Sequence, residues 1–264
     1  MKVVLFCGGL GMRLRDQAEN VPKPMVLIGY RPLLWHLMKY YSHFGHKDFI
    51  LCLGYRGDVI KQYFLNYEEC VSNDFVLSEG GRKRELLNSD ISDWQITFVE
   101  TGLNANIGER LLAVRQHLRS EDVFLANYSD GLSDLPLVDQ IEHFQQRGRV
   151  ASFLSASPNL SYHFVVSDGD GSVTAIRDMH QSGLRINAGY FAFRREIFDY
   201  LRDGEELVLE PFQRLIQAGQ LVAYNYDGFW MPMDTAKDRQ RFDELYARGS
   251  PPWEVWSPKA RRPA

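Results

Sequence analysis

The sequence predicts an α/β fold: a mostly parallel mixed sheet flanked by helices, with additional antiparallel strands in the second half. Three observations carry this. Short apolar runs alternate with amphipathic stretches through the first half, the first run ends in a glycine cluster, and the later runs are separated by Asp/Gly turns. The balance of residues agrees. Of 264 residues 45% are hydrophobic and 24% charged, enough apolar material to offset the entropy of ordering, which excludes a disordered chain. With 30 Lys+Arg against 34 Asp+Glu the net charge is −4, which argues against a protein that coats nucleic acid. The 3 cysteines (Cys7, Cys52, Cys70) form no CxxC pair, so neither a disulfide framework nor a zinc knuckle is expected, and a reducing compartment fits.

In chain order, Val3 to Cys7 reads as a buried strand. Leu33, Leu34, Leu37, Met38, Tyr41 and Phe44 recur at helical spacing and predict a helix over 33–44. Asp48 to Leu53 is the next strand, and 58–66 the next helix. Residues 95–99 and 122–127 are further strands with a helix over 108–118 between them, a βαβ rhythm that implies right-handed crossovers. This half is Rossmann-like. Residues 68–94 are polar and irregular, and read as a surface excursion or an oligomer contact. Beyond it, 151–156, 164–166, 172–176 and 186–193 read as strands, and 196–201, 208–217 and 236–247 as helices. From Ser250 the tail is Pro-rich. The apolar run near the N-terminus is too short for a signal peptide, and no stretch approaches the ~20 apolar residues of a membrane span. A soluble, cytoplasmic protein with no membrane partner is expected.

The chemistry-bearing candidates follow the strands. Gly8-Gly9-Leu10-Gly11-Met12-Arg13 comes directly after the first strand. Glycines let backbone N–H groups approach an anion without Cβ interference, and an arginine just beyond offers bidentate contacts to phosphate. No Lys-Ser/Thr pair follows, so this is not a Walker A loop, and Leu14 stands where a dinucleotide fingerprint needs its third glycine. In Pro22-Lys23-Pro24 two prolines stiffen the chain around one ammonium. Asp130 follows the apolar run 123–126, at the carboxyl end of a strand, where ligands of open α/β sheets gather and where a carboxylate suits Mg²⁺. Asp234 sits at an expected helix N-cap. Taken singly, each of these also reads as a turn, loop or cap residue. The surroundings of Ser129 lack the glycine of a nucleophile elbow, and the 7 histidines are scattered without ligand spacing.

Together, GGLGMR (8–13), PKPM (22–25) and the Asp130-Gly131 pair resemble the sugar-phosphate nucleotidylyltransferase family. The block 28–57, YFLNY (63–67), ETG (100–102), GFWMPMDT (228–235) and PPWEVW (251–256) resemble its glucose-1-phosphate cytidylyltransferase branch. The resemblance implies a single domain over 1–264, with a nucleotide-binding half (1–135), an acceptor-binding half (136–249) and the tail (250–264). It implies that Gly8, Gly9, Gly11 and Met12 lie on the nucleotide, with Arg13 and Lys23 as the catalytic cations. Glu100, Thr101 and Gly102 would lie against the pyrimidine, and Arg110 near the triphosphate. Asp130 and Asp234 would hold Mg²⁺, and Asn187, Gly189 and Glu210 would contact the sugar. The implied substrates are CTP and a phosphorylated small-molecule acceptor, and a homo-oligomer is expected.

Two departures stand out. Family members carry a small or hydroxylated residue at Met12. They also carry a Glu-Lys-Pro segment whose lysine binds the sugar phosphate, whereas 176–181 here reads Ile-Arg-Asp-Met-His-Gln. Arg177 or Arg185 is then the candidate replacement cation. The alternatives are a different phosphorylated acceptor, such as a modified sugar, a non-sugar phosphate or a phosphonate, or a nucleotide-binding paralogue without turnover.

Overall fold

The computed structural model describes residues 1–9, 21–158, 163–178 and 183–257. The chain opens with β1 (Val3–Phe6) and, after a two-residue ladder of β2 (Leu27–Ile28) and β3 (Arg31–Pro32), enters α1 (Leu33–His43). It continues through β4 (Asp48–Leu53), α2 (Gly57–Leu65), a hairpin of β5 (Phe75–Ser78) and β6 (Lys83–Leu86), β7 (Gln95–Glu100) and α3 (Ile107–Ala113). Next come β8 (Val123–Tyr128), β9 (Gly131–Ser133), α4 (Leu137–Arg147), β10 (Ala151–Ala156) and a second hairpin, β11 (His163–Ser167) with β12 (Val173–Asp178). The last stretch holds β13 (Ile186–Asn187), β14 (Phe191–Arg194), α5 (Glu210–Gln217), β15 (Leu221–Tyr226), β16 (Trp230–Pro232) and α6 (Ala236–Ala247).

Among the described residues the central sheet has 8 strands. β8, β1, β4 and β7 run parallel side by side, and β10 and β15 pair in parallel on the other flank. Between the two groups lie β13 and β14, antiparallel to β10, with β14 also antiparallel to β8. Both faces are covered, which is why the strands read as continuous apolar runs. Alternate residues serve opposite cores. Val3, Leu5, Phe49 and Leu51 face one cluster with Leu37 of α1, Phe144 of α4, Phe242 of α6 and Trp253. Val4, Phe6, Ile50 and Cys52 face the other with Leu111 of α3, Phe212 and Leu215 of α5. Cys7 and Cys52, both buried, are neighbours at the ends of β1 and β4, where Cys7 N donates to Cys52 O at 2.9 Å.

Three expectations are corrected. The strand expected over 186–193 is broken at 188–190, because Gly189 and Tyr190 take φ of +77° and +48°. The helix over 108–118 stops at Ala113 and tightens into a 3₁₀ turn over Arg115–Leu118. Residues 68–94 are not irregular. They carry the β5–β6 hairpin on a base where Arg31 reaches Ser72, Tyr63 and the Glu68 carbonyl while Asp90 accepts from Lys39 and Tyr67. The Pro-rich segment after Ser250 packs against the core, with Trp253 1% exposed. Among the described residues no helix is long and apolar enough to cross a membrane.

Candidate active site

The carboxyl ends of β1, β4, β7 and β8 lie on one edge of the sheet, where the chain leaves each strand and backbone groups are free to meet a ligand. At β1 the chain passes into Cys7, Gly8 and Gly9; Gly11, Met12 and Arg13 lie outside the described residues. Arg110 reaches this edge from α3, whose start is set by a capping box between Asn106 and Glu109. Arg110 is 2% exposed, and its guanidinium donates to Gly8 O (3.1 Å), Leu53 O (3.1 Å), Thr101 Oγ1 (2.6 Å) and Gly102 O (3.0 Å). Arg110 therefore ties the glycine turn and the 101–102 segment together from beneath. A β-carbon on Gly8 would lie 2.1 Å from its Nη1. Gly54 belongs to the same junction, because a β-carbon there would stand 2.8 Å from Gly8 O and 2.9 Å from Gly102 O. Sequence reasoning missed Gly54, although a glycine directly after a buried apolar strand is the signal that singled out Gly8. Glu100 instead faces outward and accepts from Lys61 of α2 at 2.5 Å.

Asp130 and Asp234 are 104 positions apart in the chain, and one short ladder joins them. Gly131 pairs with Pro232, Leu132 with Met231 and Ser133 with Trp230, and Met233 N donates to Asp130 O at 2.7 Å. Ser129, buried beside them, donates to Phe6 O at 2.6 Å and so anchors the turn to β1. Asp234 is not the N-cap of α6, as expected from sequence. Thr235 takes that place in a capping box with Asp238, which leaves the Asp234 carboxylate to point elsewhere. Lys23, on a 3₁₀ turn over Lys23–Met25, places its Nζ 2.8 Å from Asp130 Oδ2 and 2.5 Å from Asp234 Oδ1. Burial alone would lower the pKa of this ammonium, but the two carboxylates outweigh it and hold it above the ordinary lysine value. Oxygens from two strands thus converge on one point. Among the described residues no group of three or more His, Cys, Asp or Glu side chains is arranged for a metal ion. An all-oxygen pair of carboxylates at the carboxyl edge of the sheet still fits Mg²⁺, a cation that takes oxygen ligands and keeps several waters.

The acceptor candidates are less tightly assembled. Asn187 Oδ1 accepts from Gly189 N at 3.0 Å within the β13–β14 break. Tyr128 stands beside them at the end of β8, its phenol pushed up by burial and by the nearby carboxylates of Glu206 and Asp130. Glu206 was missed from sequence. Arg185 is already engaged: it donates to Ser155 Oγ (2.9 Å), Ser155 O (2.6 Å) and Tyr226 O (2.7 Å), and pairs with Asp227 (2.8 Å). Arg177 is exposed on the separate β11–β12 hairpin, and Glu210 is exposed at the first turn of α5. Neither is joined to the carboxylate pair by a hydrogen bond or ion pair among the described residues.

Comparison with known proteins gives a consistent result. The nucleotidyl transferase family model matches residues 2–238. A glucose-1-phosphate cytidylyltransferase of Salmonella typhimurium is 36% identical over 258 residues, covering 97% of this chain and 100% of that protein, and its Salmonella typhi counterpart matches equally. The crystal structure of HddC from Yersinia pseudotuberculosis complexed with GMP-PN superposes with a TM-score of 0.63 at 20% identity, over 93% of this chain and 99% of that one, which is a likeness of fold.

Proposed function

This chain belongs to the nucleotidyl transferase family, and we propose that within it the protein is a sugar-phosphate nucleotidylyltransferase that moves CMP from CTP to a sugar 1-phosphate of the glucose 1-phosphate kind, releasing pyrophosphate. The observation that carries this reading is the Lys23 ammonium set between Asp130 and Asp234 at the carboxyl edge of the sheet.

In the reaction a phosphate oxygen of the acceptor attacks the α-phosphorus of CTP in line, and the bond from that phosphorus to the bridging oxygen of pyrophosphate breaks. The acceptor phosphate is already an anionic nucleophile, so no side chain has to remove a proton. Catalysis rests on positioning and charge stabilisation. Gly8, Gly9 and Gly11 with Met12 wrap the triphosphate, and Arg110 fixes that turn from below. Arg13 and Lys23 offset charge developing on the phosphates. Thr101 and Gly102 line the base, with Glu100 turned outward to Lys61, while Asn187, Gly189 and Glu210 face the sugar. Asp130 and Asp234 would hold Mg²⁺, which when bound supplies further neutralisation of phosphate charge. The protein works in the cytoplasm as a homo-oligomer, with 1–135 serving the nucleotide and 136–249 the acceptor.

A second reading concerns the acceptor alone. The guanidinium of Arg185 is committed to Ser155, Tyr226 and Asp227, and 176–181 holds no lysine. Both facts favour an acceptor whose phosphate is gripped differently, such as a modified sugar phosphate or a phosphonate. Pyrophosphate release with Mg²⁺, each nucleoside triphosphate and a panel of phosphorylated acceptors decides between them. Turnover with CTP and glucose 1-phosphate supports the first reading, and turnover with CTP and only another acceptor supports the second. No release with any pair sinks both.

A further inference from the structure

Between β13 and β14 the chain turns through Ala188, Gly189 and Tyr190, the last two at φ of +77° and +48°. A glycine adopts that conformation freely, but a tyrosine does so only where its surroundings impose it. Here they do. Every backbone polar group of the three residues is paired. Ala188 N donates to Leu154 O (2.9 Å) and Leu154 N to Gly189 O (2.9 Å), which holds the corner to β10. The other four bonds are made by side chains. Trp230 Nε1 donates to Ala188 O (3.1 Å) and Gln140 Nε2 to Tyr190 O (2.5 Å), while Asn187 Oδ1 accepts from Gly189 N (3.0 Å) and Asn127 Oδ1 from Tyr190 N (2.9 Å). The approach is close enough that a β-carbon on Gly189 would lie 2.4 Å from Asn127 Oδ1. The Tyr190 ring is buried against Tyr40 and Tyr41, with centroids 5.5 and 6.0 Å apart.

Two of these clasps come from the strands that lead into the carboxylates. Asn127 lies on β8, three residues before Asp130, and Trp230 lies on β16, four residues before Asp234. The Trp230 indole passes beside Gly131, where a β-carbon would stand 3.6 Å from Nε1. We infer that Asn127 and Trp230 are positioning residues for the transfer: each strand that leads into a carboxylate two residues past its end also grips the Ala188–Tyr190 corner, so the segment bearing Asn187 is held at a set offset from the Asp130–Asp234 pair. The inference rests on the proposed reading of Asn187 as an acceptor contact. A corner that served packing alone would need no link to the strands of the phosphate site, and loosening it would weaken both substrates or neither.

Trp230→Phe is the decisive variant, because it keeps an aromatic ring in place while removing the indole N–H together with the five-membered ring that bears it; Asn127→Ser is its companion. Steady-state pyrophosphate release is measured with whichever acceptor supports turnover, CTP affinity is measured by calorimetry without acceptor, and folding is checked by thermal melting. In Trp230→Phe the acceptor KM rises about tenfold while the Kd for CTP stays within about twofold of wild type, the signature of a displaced acceptor segment. Equal loss of affinity for both substrates, or no change in either, overturns the inference and leaves the proposed function standing. A wild-type protein that binds CTP but turns over no acceptor overturns the proposed function, and the inference falls with it. If Asn127→Ser does not fold, Trp230→Phe decides alone.

Discussion

Lys23 answers to two carboxylates at once, and removing it leaves Asp130 and Asp234 facing each other without their cation. Lys23→Ala is expected to lower turnover at least about hundredfold, the scale of losing one preorganised charge at a transferring phosphoryl group. Stopped-flow pyrophosphate release checks it, and a near-normal rate contradicts the assignment. The pH dependence has a definite sign. Because the folded-state pKa is raised, the charge-linked stability from Lys23 is fully present below the ordinary lysine value and is lost only as pH rises through the higher folded value. A rate profile between pH 6 and 9 therefore contains no step from this group. The residues themselves were legible in the sequence as a carboxylate after a strand and a lysine between prolines. Their meeting was not, because it depends on a ladder between 131–133 and 230–232 that no local pattern announces. The capping role fell to Thr235 for a local reason: its hydroxyl and the Asp238 carboxylate reciprocate, and the same carboxylate also accepts from Asp234 N at 3.1 Å.

At the scale of elements, strongly periodic segments such as α1 and α6 were legible to within a residue or two. α4 was not read from the sequence, since one of its three fully buried side chains is Gln140, whose amide is spent on the Tyr190 carbonyl. β15 escaped too, being half-buried and following directly on the turn after α5. The join between α1 and the C-terminal segment makes a prediction of its own. His36 Nδ1 accepts from Trp253 Nε1 at 3.3 Å, so its Nε2 carries the proton and donates to Ile28 O at 3.1 Å. Burial, with Arg31 nearby, lowers the His36 pKa to about 4, and burial lowers His46 similarly. The unfolded chain then binds more protons than the folded one below the ordinary histidine value. Stability is expected to fall as pH drops from about 6.5 towards 4, by about 3 kcal/mol from His36 alone. Urea titrations followed by tryptophan fluorescence test this, and a midpoint that does not move over that window contradicts it.

Across the whole molecule one sheet runs through both halves, and its most exposed attachment is the β5–β6 hairpin. All eight residues of its strands are exposed, among them Phe75, Val76, Leu77 and Leu86. A lone two-stranded hairpin is marginal in water, and in the proposed homo-oligomer this face would be the one covered. Leu77→Asp is expected to shift the sedimentation mass towards the monomer with unchanged circular dichroism, and an unchanged mass would place the contact elsewhere.

Burial of Cys7 and Cys52 side by side has a consequence for how the molecule opens. Their thiols sit at the ends of central strands, with Cys7 pushed up to about 12 by burial and Cys52 well above its usual range, while Cys70 is half-exposed at the excursion. A disulfide reagent meets a thiolate only where water does. In the native protein it finds Cys70 at once and the other two only when β1 and β4 part. The slow phase of labelling is therefore a clock for separation of the strands beneath the proposed substrate edge, and a nucleotide bound at that edge should slow the clock while leaving the Cys70 phase as it was.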